Sequence, residues 1–389
     1  MTLKMRACIF APARSIRLLW AFFAIFCFVS EYGHCQPWVS RSSGTTVDLN
    51  SVAYGINIFV AVGDGLTILS SPDGITWTKR VSRVGAAGLN GVTYSNDRFI
   101  AIGPHDIASS TDGISWTTNT LGSAKGLDAI AYGAATFVGV NALGNVATSP
   151  DGSVWTAQST GSIAPLGGIV YAGNRFVAVG GIGTVLTSPD GVKWAAQNPG
   201  TSEELYSVTY GNNQYIAVGQ DGIIVTSPDG TNWTTRGLEV TDTLNGITSG
   251  NNEFVAVGVD ELSPNRNGSI LTSPDGITWT NANAPVNYEL SGVAYGANQF
   301  VAVGLNGTIL QSGTPNNQPP TLGPVSFLPS GVAKLAVTGV AGQTYAIQSS
   351  SNLKDWSDLT TVTLTNSAGS FTDPSAASNQ QRFYRGRAN

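Results

Sequence analysis

Six aspartates hold a fixed place in the most regular part of the chain. Asp73, Asp112, Asp151, Asp190, Asp229 and Asp275 are each followed by glycine and, four residues on, by tryptophan. Evenly spaced carboxylates suggest two chemistries. Calcium binding takes roughly six to eight oxygens from clustered carboxylates, and glycoside hydrolysis takes two carboxylates flanking one bond. One aspartate per turn supplies neither, so these residues read as turn-formers whose side chains accept hydrogen bonds from backbone N–H groups. Seven arginines, Arg41, Arg80, Arg83, Arg98, Arg175, Arg236 and Arg266, would make an anion site if they converged. They show no shared strand position and read as solvated loop charge. His105 is the one histidine beyond residue 35, and a lone imidazole beside Asp106 has no second imidazole with which to hold a metal. No metal site and no cofactor is expected.

The first 35 residues are of another kind. Lys4, Arg6, Arg14 and Arg17 precede an apolar run of twelve residues, 18–29, and Gly33-His34-Cys35 offers small residues before Gln36. That order is the pattern of a secretory signal peptide over 1–35, and a twelve-residue helix is too short to span a bilayer. Cys8, Cys27 and Cys35 all fall within or at the edge of this segment. A mature chain from Gln36 then has no disulfide and no thiolate chemistry. Its loss removes those four basic groups and Glu31, moving the net charge from −5 to −8. An acidic balance with only 11% charged residues argues against nucleic acid and anionic membranes as partners.

Behind the aspartates stands a repeat. Its turn reads Ser71-Pro72-Asp73-Gly74-Ile75-Thr76-Trp77 and recurs at 110–116, 149–155, 188–194, 227–233 and 273–279. The aspartates lie 39 residues apart, except for a last step of 46 that marks an insertion. A period of about 40 residues in a strand-rich chain means a propeller or a solenoid. Each repeat reads as four short strands. The first starts at Leu49, Leu89, Leu127, Leu166, Leu205, Leu244 or Leu290, and the fourth at Trp77, Trp116, Trp155, Trp194, Trp233 or Trp279. The second and third are near-continuous apolar runs, which places both their faces in a core. The seventh repeat ends at Ser312 without its tryptophan strand, whereas Trp38-Val39-Ser40 lies eleven residues before Leu49. A chain that begins with the piece its last repeat lacks closes on itself and leaves no free sheet edge. The expected fold is all-β, a seven-bladed β-propeller over 36–312 closed by its N-terminal strand.

The turn Ser-x-Asp-Gly-x-x-Trp resembles the Asp-box, or BNR, repeat of sialidase-like propellers, with one residue fewer between Asp and Trp. The resemblance implies a sialidase-like fold. It also implies where a sialidase would keep its site: an arginine triad, a Tyr–Glu nucleophile pair, an acid–base aspartate and an Arg-Ile-Pro motif ahead of the repeats. None of these is recognisable here. The repeat pattern and blade number are also similar to photosystem II assembly-factor-like propellers, a family that acts by binding partners. The basic patch expected there has no counterpart in this acidic chain.

A binding face should gather the loops before each first strand and those between second and third strands. The candidate residues lie where these loops break the repeat: His105 and Asp106, Glu203 and Glu204, Tyr288, and the insertion at 259–267 with Asp260, Glu261 and Arg266. Residues 313–323, rich in Pro and Asn, read as a linker. Residues 324–389 alternate like strands and form a small β-sandwich. The segment 345–356 with Arg382-Phe383-Tyr384-Arg385 resembles a fibronectin III-like module of bacterial secreted proteins, with Trp356 in its core. The reading is a secreted or cell-surface, monomeric, non-catalytic binding or scaffolding propeller for an unknown protein or glycan. The alternatives are a sialidase-like glycan-active hydrolase and a purely structural cell-surface repeat protein.

Overall fold

The computed structural model describes residues 9–10, 38–80, 88–119, 126–236, 241–312, 320–328, 332–339, 344–364, 368–378 and 381–388. They belong to two compact units, one of 35–312 and one of 313–389 together with 1–34. The segment read as a signal peptide, apart from Ile9 and Phe10, lies outside the described residues, as do Arg83 and most of the segment read as a linker. Among the described residues there is no α-helix, and none long and apolar enough to cross a membrane.

In the first unit, Ile58–Gly63 and Thr67–Ser71 are buried at every position, as a strand with two apolar faces must be. The fourth strand of the same sheet, Thr78–Arg80, is short and mostly exposed. This pattern recurs in seven antiparallel four-stranded sheets among the described residues of this unit, the arrangement of a β-propeller. Their first strands are Leu49–Gly55, Gly91–Ser95, Ala129–Gly133, Leu166–Ala172, Leu205–Gly211, Thr243–Gly250 and Leu290–Gly296, and number the sheets one to seven.

Side chains alternate along the second strand, so each sheet feeds two cores. Phe59 and Ala61 of sheet one meet Val301 and Ile309 of sheet seven, whereas Val60 and Val62 meet Leu89 and Phe99 of sheet two. First strands of consecutive sheets pack side by side, and that of sheet seven lies against that of sheet one. The approach is close enough to demand glycine: a Cβ on Gly133 would fall 2.0 Å from the Tyr171 ring, and one on Gly296 2.0 Å from the Tyr54 ring. Each such tyrosine leans on the phenylalanine opposite it, as Tyr54 does on Phe59 with centroids 4.6 Å apart. Trp38–Arg41 pairs antiparallel with Thr308–Ser312 and completes sheet seven. Trp38 itself is buried with Val257, Ile270 and Leu310 between sheets six and seven.

The Ser-x-Asp-Gly-x-x-Trp turns are wired internally. Ser188 Oγ accepts the Gly191 N–H at 2.8 Å, and Asp190 Oδ1 accepts those of Val192 and Lys193 at 2.9 and 2.8 Å. The Trp194 indole donates to the Gly191 carbonyl at 3.1 Å. The turns also dock onto a neighbouring sheet, which the sequence alone does not display. The carbonyls of Asp73, Asp275 and Asp151 accept from Gln299 of sheet seven, Gln214 of sheet five and Arg98 of sheet two, at 2.8, 2.8 and 3.0 Å.

The N–H groups of Lys193 and then Val192 hold the Asp190 carboxyl below its ordinary range, and those of Ser115 and Ile114 bring Asp112 down to about 2. A depressed folded pKa contributes stability that is present above the unfolded value of about 3.9 and is lost as pH falls through the folded one. Urea midpoints should therefore drop between about pH 4 and pH 2. Asp190→Ala should lose about 1–3 kcal/mol at neutral pH, and Asp190→Asn should lose less and show a shallower acid drop. An Asp190→Ala midpoint equal to wild type would show that the carboxylate is idle.

The second unit has Thr321–Phe327, Ala333–Thr338 and Ala368–Asp373 in one sheet, and Thr344–Ser350, Ser357–Thr363 and Gln381–Ala388 in another, where Ile9–Phe10 pairs with Gln381 and Arg382. Leu335, Val337, Tyr345, Ile347, Phe371 and Tyr384 form its core. The first strand starts at Thr321, inside the segment read as linker. Its ladder shifts register between Leu322 and Val325, which accommodates Pro324, a residue that cannot donate.

Trp356 also departs from expectation. It is half-buried and lies outside the core cluster, with the Arg385 guanidinium 4.3 Å above its ring. It closes a turn wired like that of Ser188 to Trp194. Leu353 N–H donates to Ser350 Oγ at 2.8 Å, Lys354 and Asp355 N–H donate to Asn352 Oδ1 at 2.9 Å, and the indole donates to the Leu353 carbonyl at 3.3 Å. Leu353 stands at φ +66, where the propeller copies have glycine. Left-handed backbone penalises a branched side chain by about 1–2 kcal/mol, so Leu353→Gly should raise the stability of this unit by about 1 kcal/mol after glycine's entropic cost. An unchanged or lowered denaturation midpoint would contradict this.

Candidate functional site

A cleft of about 670 Å³ opens on sheets five to seven, where the loops before the first strands meet the turns between second and third strands. Sheet five contributes Glu204, Tyr206, Gln220 and Asp221, sheet six Thr243, Asn245, Glu261 and Arg266, and sheet seven Glu289. Four carboxylates thus face one guanidinium. Arg266 reaches Glu261 Oε2 at 3.0 Å and, across to the next sheet, Glu289 Oε2 at 3.1 Å. Asn245 donates to Glu289 Oε1 at 2.9 Å, and the Tyr206 hydroxyl donates to Glu204 Oε2 at 3.0 Å. Burial first, and then the Glu204 bond, push the Tyr206 hydroxyl up to about 12, so it stays a donor.

Repeat breaks build this site. The insertion spans 260–267, between the strands Glu253–Val259 and Gly268–Ser273. It is an ordered loop: Asp260 Oδ1 accepts the N–H groups of Leu262 and Ser263 at 2.9 and 3.1 Å, and Arg266 sits at φ +50. Beneath it the buried Asp242 takes a hydrogen bond from Ser269, and burial raises its carboxyl pKa.

Of the residues singled out in the sequence, Glu204, Glu261 and Arg266 line the cleft. Glu203, Asp260 and Tyr288 are chain neighbours of lining residues without lining it. His105 and Asp106 belong to sheet two and are not brought to it. Tyr206, Gln220, Asp221, Thr243, Asn245 and Glu289 complete the site. Most flank the leucine that heads each first strand, in Glu204-Leu205-Tyr206, Thr243-Leu244-Asn245 and Glu289-Leu290. In an extended strand the neighbours of a buried residue face the other way, and these are the positions at which the repeats diverge.

The arginines correct the sequence reading. Arg41, Arg80 and Arg236 do share a position, three residues after a tryptophan. Their Nε atoms donate to Gln311, Ser70 and Thr226 on the adjacent third strands at 2.7, 2.6 and 2.9 Å. Asn119, Gln158 and Gln197 make the same bond to Ser109, Thr148 and Thr187. These side chains tie the outer strand to its neighbour in every sheet but the sixth, where Ala282 stands at this position, a cross-strand role rather than solvated charge. Arg98 and Arg175 open the second strands of sheets two and four. Among the described arginines, Arg266 is the one that reaches the cleft.

No family model and no curated protein matches the chain. Solved structures do resemble it. YCF48 bound to D1 peptide is 20% identical, with a TM-score of 0.58 over 73% of this chain and 97% of that one. YCF48 from Cyanidioschyzon merolae is 17% identical, with a TM-score of 0.56 over 71% and 98%. The WD40 β-propeller domain of Doa1 is 14% identical, with a TM-score of 0.58 over 71% and 95%. At these identities the likeness is one of fold, and the fold the chain shares with them is the β-propeller.

Proposed function

We propose that this chain is an extracytoplasmic, non-catalytic binding or scaffolding protein. In this reading a signal peptide over 1–35 is removed. A seven-bladed ring over 36–312, closed by Trp38–Arg41, presents its uneven face to a protein or glycan. A fibronectin III-like sandwich follows the linker, and the protein is a monomer. One observation carries the reading: the cleft is assembled from the loops that depart from the repeat, and its one guanidinium is held between two carboxylates. A sialidase-type hydrolase needs several arginines gathered on a carboxylate substrate, whereas Arg41, Arg80 and Arg236 are engaged on the fourth strands. The solved YCF48 complex with a peptide supports a polypeptide as one of the two ligand classes.

The test is a glycan array and a panel of fluorogenic glycosides run beside peptide binding on the purified chain. Binding without turnover is expected. Turnover of any glycoside that is lost in Glu204→Gln or Glu289→Gln would overturn the non-catalytic reading and assign the cleft carboxylates to hydrolysis.

A further inference from the structure

Resting on that reading, we infer that the ligand is a polypeptide segment carrying a lysine or arginine flanked by aliphatic residues. The cation enters the cleft on sheets five to seven, and the aliphatic residues lie on an apolar patch continuous with it on sheets three and four.

The patch is made of Leu143, Ile163 and Ile182, which are 73%, 95% and 76% exposed. It runs into the cleft through bonded neighbours. The turn at Gly144 packs on Ile163 and Ala164, and Gly181 on Pro165. The N–H of Gly183 donates to the Glu203 carbonyl at 3.0 Å, and Glu203 precedes Glu204 of the cleft wall. Ile182 is costly in two ways. It exposes a large aliphatic group, and it stands at φ +56, where sheets one, five and seven hold Gly65, Asp221 and Asn306. At 76% exposed it gains little packing against the folded chain to offset a β-branched residue in that conformation, whereas a partner that covers it would supply that packing.

Charge selects the partner. Glu204, Asp221, Glu261 and Glu289 outnumber Arg266, so the cleft has a net demand for positive charge. Arg266 shows what the cleft accepts, because its guanidinium already bridges Glu261 and Glu289. That bridge is exposed, with the arginine side chain 57% accessible, and exposed ion pairs hold weakly. An incoming guanidinium or ammonium can share or take over its carboxylates. A free small cation would leave the apolar patch uncovered; a peptide with both characters satisfies both surfaces.

Three labelled peptides test this on the purified chain: alternating lysine and leucine, alternating glutamate and leucine, and alternating lysine and serine. The lysine–leucine peptide should bind saturably and weaken with added salt, the lysine–serine peptide should bind less tightly, and the glutamate–leucine peptide should not bind. Glu204→Gln with Glu289→Gln should weaken lysine–leucine binding roughly tenfold or more. Arg266→Ala should strengthen it about three- to tenfold, because it removes the internal competitor. Ile182→Asn, which suits the turn as Asn306 does in sheet seven, should weaken binding without lowering the melting temperature. The inference fails if the lysine–leucine peptide does not bind, or binds equally well after the two glutamate changes. A glutamate–leucine peptide or glycan that binds and is lost in Arg266→Ala would overturn the cationic partner while leaving the binding reading standing.

Discussion

Trp38→Ala is expected to lower the stability of the propeller by about 3–5 kcal/mol, as burying and then deleting a tryptophan usually does. The effect should be read in urea denaturation followed by tryptophan fluorescence. Trp38 is 7% exposed and packs with Val257, Ile270, Leu310 and Phe300, so the truncation empties a seam between sheets six and seven. Deleting 36–41 should do more. It strips the fourth strand from Thr308–Ser312 and removes the Arg41 bond to the fully buried Gln311. A row of unpaired backbone groups would then be open to other chains, and the shortened protein should aggregate where wild type does not. A loss of under about 0.5 kcal/mol for Trp38→Ala, the range of surface substitutions, would show that the strand is not part of the folded sheet.

Gly180→Ala should be comparably severe, costing about 3 kcal/mol, at the upper end for overpacking. The added Cβ would lie 1.8 Å from the Pro165 carbonyl oxygen and 2.8 Å from Leu166 Cα. Backbone cannot rotate aside as a side chain can. The same crowding recurs at Gly63, Gly219, Gly258 and Gly304, where an added Cβ would lie within about 2 Å of the carbonyl just before the leucine that heads the first strand of the same sheet. Sheet three carries Asn141 there instead, and its amide donates to the Gly126 carbonyl at 2.7 Å, with Gly126 at φ +45. A side chain is thus admitted only where the facing backbone is re-aimed by a left-handed glycine. Placing asparagine at 180 should fail as alanine does, and a denaturation midpoint unchanged in either variant would refute the steric argument.

The strand pattern was legible because the residues have no choice of face. Runs such as Phe59-Val60-Ala61-Val62 are apolar on both sides, and the heading leucines recur at a fixed period. The closing strand was legible as a missing piece at one end and a spare one at the other. The cleft was only half legible. Glu204, Glu261 and Arg266 stand out in irregular loops, but Tyr206 and Asp221 lie at strand and turn positions present in every repeat, where only the residue type varies. They join a site only because the next two sheets bring Glu261, Arg266 and Glu289 to the same cleft, and adjacency between sheets is not written in any one repeat. The arginines were misread for a different reason. Their common spacing of three from the tryptophan was present in the sequence, but it acquires meaning only once the partner side-chain oxygen on the adjacent strand is known. Trp356 was read by residue type, as a large ring in a small domain, and not by the local wiring of Ser350 and Asn352.

That wiring has a consequence for how such chains are surveyed and how they arise. The turn from Ser350 to Trp356 keeps its hydrogen bonds with Asn in place of Asp, Leu in place of Gly, and a different domain around it. Its stability is therefore largely self-contained, a cassette of seven residues that works wherever two antiparallel strands need joining. Counting such cassettes does not count blades: sheet seven draws its tryptophan strand from the N-terminus without a contiguous cassette, and the second unit carries one with no propeller sheet attached.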